Sequence, residues 1–191
     1  MTDMTMTNFK KRAAVVAVAS CLSLAPWLAE AASLGKITVL SGLGQPLRAE
    51  IDVHGRSLVV YAVHPPTPRS LAQWTTRNAQ LAWVADLASE RDGSRPRIML
   101  GDFNTPPWSF LFRDVNATAA LRDAGGTLRQ ATRQPMLLAP HLAWLGAPVD
   151  HVLVSPDIGV GSFAVGPYVH SDHLPVIADL LLPGPGSSPP P

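Results

Sequence analysis

Polar side chains recur where the apolar runs of this sequence stop. His64 follows Leu58-Val59-Val60-Tyr61-Ala62-Val63, and Asp102 and Asn104 follow Arg97-Ile98-Met99-Leu100. Asp150 and His151 lie inside Val149–Val154, and Asp172 and His173 precede Leu174–Leu182. Carboxylates hold a hard divalent cation such as Mg²⁺ or Mn²⁺ through oxygen. Such a cation polarises a phosphoryl oxygen and stabilises the charge that develops on it. An imidazole beside a carboxylate acts as a general base or binds phosphate. Acids, an amide and imidazoles brought together therefore suit phosphate-ester hydrolysis. They are expected to meet because sites in open α/β sheets form where strand ends open into loops.

Each residue alone has a plainer reading. A single histidine after a strand is commonly capped or half-buried. Gly101-Asp102-Phe103-Asn104 can be an Asx turn, and Asp172 can cap another. Asp150 says more, since a carboxylate inside an apolar strand must find a partner to offset its desolvation.

The elements that must carry these residues are readable from periodicity. Leu58–Val63 and Arg97–Leu100 are continuous apolar runs, as in strands buried on both faces. Between them, Leu71, Trp74, Leu81, Val84 and Leu87 recur at helical spacing, which predicts a helix over 69–89. Strand, helix, strand is a βαβ crossover with parallel pairing. A second helix is expected around 107–124, a stretch that is mostly loop over 125–148, and further strands over 149–154, 159–165 and 174–182. Ile37, Val39, Leu47 and Ile51 flank the turn-prone Gly42-Leu43-Gly44-Gln45-Pro46 and predict a small hairpin. Residues 183–191 are rich in Pro, Gly and Ser and predict a disordered tail.

The chain has 191 residues, 47% apolar and 15% charged, enough for one buried core. A net charge of +1 argues against strong, sequence-blind attraction to nucleic acid. The N-terminus reads as a secretory signal. Lys10-Lys11-Arg12 precede an apolar run over 13–28, and Ala29-Glu30-Ala31 offers small residues to a signal peptidase. The run is short for a membrane span. Cleavage near Ala31 is expected, so the mature chain would be periplasmic or secreted and span no membrane. An uncleaved anchor, and lipidation at Cys21, are the alternatives. Cys21 is the one cysteine, so no disulfide forms within the chain, and with no G-x-S-x-G elbow a Ser- or Cys-based hydrolase is the weakest option.

Taken together, I-M-L-G-D-F-N, then P-V-D-H-V-L-V-S, then S-D-H-L-P-V resemble, in order and spacing, the three C-terminal signatures of the endonuclease/exonuclease/phosphatase superfamily. The strand ending in V-H-P-P and the helix carrying Arg77 and Gln80 are similar to that superfamily's histidine strand and R-x-x-Q pair. The resemblance implies an α/β fold, the C-terminal half of a four-layer α/β sandwich, and Mg²⁺- or Mn²⁺-dependent hydrolysis of a phosphate ester: nucleic acid, phospholipid or a small ester. It implies that His64 contacts or protonates the scissile phosphate and that Asp102 and Asn104 orient water and phosphate. Asp102, Asn104 and Asp172 would serve the metal, and His173, oriented by Asp150, would be the base or phosphate-binding imidazole. It gives His151 no role.

The superfamily's first half supplies an asparagine and a metal-binding glutamate. No matching motif stands here, where Glu30, Glu50 and Asp52 are the acids after the signal's basic residues and before residue 58. In that place residues 34–53 resemble the start of mature FimV-type pilus assembly proteins. The expected organisation is a signal (1–31), a FimV-like segment and junction (32–55), the phosphoesterase-like domain (56–182) and the tail (183–191). A loss of metal ligand predicts weak or absent activity. The alternative is a non-catalytic envelope protein on a degenerate hydrolase scaffold.

Overall fold

The computed structural model describes residues 36–41, 45–53, 55–92, 95–126, 130–133 and 146–182. The expected signal with Cys21 and Glu30, the residue His54 and the tail from 183 lie outside them.

Strands β1 (Ile37–Val39), β2 (Leu47–Val53) and β3 (Arg56–Val63) form an antiparallel meander. The expected hairpin is present, with Ile37 opposite Ile51. It does not stop there. β2 pairs with β3 from Val53↔Arg56 to Leu47↔Ala62, across a turn where Gly55 has φ +79°. β1 and β2 are thus built into the same sheet as the strand that leads to His64.

Helix α1 (Leu71–Asp92) returns the chain so that β4 (Arg97–Asp102) lies parallel to β3, Val59 beside Arg97 and Val63 beside Gly101. This is the βαβ unit expected from the apolar pattern. β4 runs two residues further than the apolar run suggests, because Gly101 can adopt φ +133°. A Cβ there would collide with the carbonyl oxygen of Val63, so only glycine lets the strands stay this close up to Asp102.

Helix α2 (Phe110–Ala119) is shorter than the expected 107–124. Ser109 accepts the Phe112 N–H and caps its start. Ala120, with φ +49°, closes its end and lets Arg122–Asp123 become a short strand, β5. An αL cap without glycine leaves no clear stop in sequence. Strands β6 (Asp150–Val154), β7 (Gly159–Val165) and β8 (Val176–Leu181) follow. The large sheet has the order β1-β2-β3-β4-β6-β5, and β7 and β8 form a second sheet.

The alternation of side chains across the large sheet divides the core. Val59, Tyr61, Val63, Met99 and Leu153 face Leu81, Val84, Ala88, Phe112 and Val115 of the two helices. Leu58, Ile98 and Val154 face the other way, against Ile158, Val160 and Leu180 at the second sheet. That two-faced burial is why β3 and β4 read as unbroken apolar runs. The described residues therefore form helices on a large sheet with a small sheet behind it, a mixed α/β architecture as expected. No helix among them is long and apolar enough to cross a membrane.

Candidate active site

Because β3 and β4 are parallel, both release their chains at one end. His64 leaves β3 there, and Asp102 closes β4 there. β6 runs antiparallel to β4, so its first residue, Asp150, lies opposite Asp102. His173 arrives on the segment before β8, through a bridge between Arg133 and His173. The strand-end pattern thus becomes one place.

Ligand atoms of Asp102, Asp150 and His173 all lie within 4.8 Å of one another. His173 Nδ1 is 2.8 Å from Asp150 Oδ2. With a carboxylate as acceptor, Nδ1 carries the proton and Nε2 is left basic in the neutral ring. Nε2 lies 3.9 Å from Asp102 Oδ2, and His64 Nε2 lies 3.8 Å from the same oxygen. His64 is the open side of the site, its side chain 78% exposed.

Asp102 divides its oxygens between two tasks. Oδ1 accepts the Asn104 N–H at 2.7 Å, which is the Asx turn the sequence allows, while Oδ2 faces the imidazoles. Burial pushes its carboxyl above the usual range. The Asn104 N–H opposes that, Asp150 adds to it, and the two histidines pull against it.

Asn104 is buried and held at φ +48°, a conformation asparagine tolerates better than most residues. Its amide nitrogen donates to Pro65 O at 3.0 Å, and Arg77 Nη1 donates to its carbonyl at 2.6 Å. His151 turns away from the site. It is buried between Phe103 and Phe112, with Nε2 2.8 Å from Thr105 O.

Among the described residues, then, His64, Asp102, Asn104, Asp150 and His173 come together. Asp172, half-buried beside His173, is not in the group within 4.8 Å. Glu50 and Asp52 are not in it either. Glu50 accepts from Ser57 at 2.5 Å and pairs with Arg95, and Asp52 accepts the Gly55 N–H.

Thr132 is a part of the framework that pattern reading did not find. Its hydroxyl accepts the N–H groups of Val149 and Asp150, and its carbonyl accepts the Leu174 N–H at 2.7 Å. It fastens the Asp150 strand to the His173 segment. It lies in the stretch read as loop, and one threonine there carries no signal.

The donor set suits a hard cation: carboxylate oxygens, one imidazole, and room for water and substrate to complete the shell. A cleft of about 380 Å³ opens beside Asp150 and His173, walled by Leu100, Val152, Leu174 and Val176.

The profile of the Endonuclease/Exonuclease/phosphatase family matches residues 16–173. No curated protein matches the chain by sequence. Among solved structures, a conserved protein of unknown function from Enterococcus faecalis is similar at TM-score 0.58 and 17% identity, over 76% of this chain and 64% of that one. An endonuclease/exonuclease/phosphatase from Beutenbergia cavernae is similar at TM-score 0.56 and 25% identity, over 79% and 45%. A mannosyl-6-phosphatase from Bacteroides thetaiotaomicron is similar at TM-score 0.55 and 19% identity, over 71% and 56%. The chain thus spans between 45% and 64% of the length of these three relatives.

Proposed function

This chain belongs to the Endonuclease/Exonuclease/phosphatase family, and from that premise we propose that it is a divalent-metal-dependent phosphoester hydrolase, slow as it stands. The observation that carries the reading is the contact of His173 Nδ1 with Asp150 Oδ2 at 2.8 Å, with Asp102 facing the other ring nitrogen.

Asp150 holds His173 in the tautomer whose Nε2 takes a proton from an attacking water, and steadies the imidazolium that results. Asp102 orients that water. His64, exposed at the mouth, meets the phosphate. Asp102 is the principal residue to hold Mg²⁺ or Mn²⁺, with Asn104 and Asp172 in lesser parts. The bound cation would polarise a phosphoryl oxygen and stabilise its developing charge. Slow turnover follows from how the group is shared out: with Asp150 and His173 occupied by the water's proton, Asp102 is the one carboxylate of the three left to the cation.

The test is hydrolysis of bis(p-nitrophenyl) phosphate and p-nitrophenyl phosphate with Mn²⁺, with and without chelator. Turnover lost to chelator, and lowered about 100-fold or more in His173→Ala, is expected. Turnover indifferent to chelator, or unchanged in both Asp102→Asn and His173→Ala, overturns the assignment.

One observation favours a second reading, a hydrolase fold kept as a non-catalytic scaffold: no glutamate joins the group of three among the described residues. Calorimetric titration with Mn²⁺ separates the two, because a scaffold without a metal site gives neither heat nor a thermal shift. Export is proposed on the sequence alone, and N-terminal sequencing of the secreted or periplasmic protein is its check.

A further inference from the structure

We infer that Arg77 is the positioning residue of this site, acting through Asn104. Arg77 lies on α1 and is only 8% exposed. Burial lowers the pKa of its guanidinium, and among the described residues it forms no ion pair. Its hydrogen bonds go to Asn78 Oδ1 at 2.9 Å and to the Asn104 carbonyl at 2.6 Å. Burying a cation is costly, and a short charge-assisted bond to the Asn104 carbonyl is what offsets that cost here and ties the two together.

Asn104 has reasons to be held. Its φ of +48° lies outside the conformations most residues favour. Its N–H fixes Asp102 Oδ1, and that bond decides where Oδ2 points. Its amide nitrogen fixes Pro65 O, directly after His64. The next carbonyl, of Thr105, is also held, by His151. One guanidinium therefore anchors the turn from which both Asp102 and the His64 loop take their places. It reaches neither Asp102 nor His173 by a hydrogen bond of its own.

The kinetic arm of the test rests on the proposed hydrolase activity; the structural arm does not. Arg77→Lys keeps the charge and loses the fork that reaches the carbonyl. It is expected to lower kcat about 10- to 100-fold with KM within about twofold, the signature of misplaced groups rather than lost substrate binding. Added methylguanidinium should restore part of kcat in Arg77→Ala. Independently of turnover, amide hydrogen exchange at Asn104 should quicken in Arg77→Lys while exchange in the middle of β4 stays slow. Unchanged kcat together with unchanged Asn104 exchange overturns the inference. So does a general quickening throughout β4, which marks a merely structural arginine. If wild type shows no turnover but Asn104 exchange responds as stated, the hydrolase reading fails and the positioning role stands. If neither variant folds, the wild type decides by nitrogen NMR: a guanidinium of Arg77 that rotates freely refutes the hydrogen bond, and one with restricted rotation supports it.

Discussion

The two oxygens of Asp102 make opposite demands on a substitution. Oδ1 needs only to accept the Asn104 N–H, which an amide oxygen can do, whereas Oδ2 must bring a negative charge to the imidazoles and the metal. Asp102→Asn should therefore keep the turn and the fold, with a stability change within about 1 kcal/mol, and lose Mn²⁺ affinity by about tenfold or more, as calorimetry and melting curves would read. Asp172→Ala, outside the group, should cost less affinity than Asp102→Asn; an equal or larger loss would make it a principal ligand. Asp102, Asp150 and His173 could be found from sequence because each stands in or beside an apolar run, and strand ends in such sheets open into shared loops. Arg77 and Thr132 could not be assigned their contacts. The distant groups they hold are backbone N–H and C=O groups, and backbone groups look alike in every sequence.

At the scale of the elements, β2, β3 and α1 are joined by one buried carboxylate. Asp92, at the end of α1, has a fully buried side chain that accepts from Tyr61 and Arg95, and from Arg48 Nε at 2.9 Å and Nη2 at 2.7 Å. Burial alone would raise its pKa. The bonds from Tyr61, Arg48 and Arg95 outweigh that and hold it below the usual carboxylate range. A depressed folded pKa gives stability that is present above the unfolded value, about 4, and lost as pH falls through the folded one. Tyr61 goes the other way: burial, then Asp92, push it up to about 12. Its contribution is full below about pH 10 and fades as pH climbs towards the folded value. Melting temperature should accordingly be level from about pH 5 to 9 and fall on both sides. Asp92→Asn should flatten the acid fall and lower the plateau by about 1–3 kcal/mol, since the buried bonds at Asp92 lose their charge while the partly exposed Arg48 and Arg95 keep some hydration. An acid fall equally steep in Asp92→Asn would refute this account. The helix was legible in sequence from its apolar period, whereas nothing local marks Asp92 as a junction. That it receives Arg48 from β2 requires the β2–β3 pairing, which local pattern does not carry. The same limit applies to α2, whose end at Ala120 rests on a left-handed alanine.

For the whole molecule, the two faces of the large sheet are unequally covered. On the helix side Val59, Tyr61, Met99 and Leu153 are at most 1% exposed. On the other side Val60, Leu100 and Val152 are only half-buried, behind a sheet of two strands. That small sheet turns Ile177 and Leu181 outward, 50% and 64% exposed, and neither of its strands has a second partner among the described residues. Apolar surface beside unpaired strand edges favours self-association. Composition alone could not reveal this, because an apolar residue on an uncovered face looks the same in sequence as one in the core. The purified protein should thus show a sedimentation coefficient that rises with concentration. Ile177→Lys with Leu181→Lys should suppress that rise and leave the melting temperature nearly unchanged, since side chains this exposed bury little apolar area. A wild type that sediments as a monomer at every concentration would show that this face is not an association surface. A double variant that melts much earlier would show instead that Ile177 and Leu181 pack against something in solution.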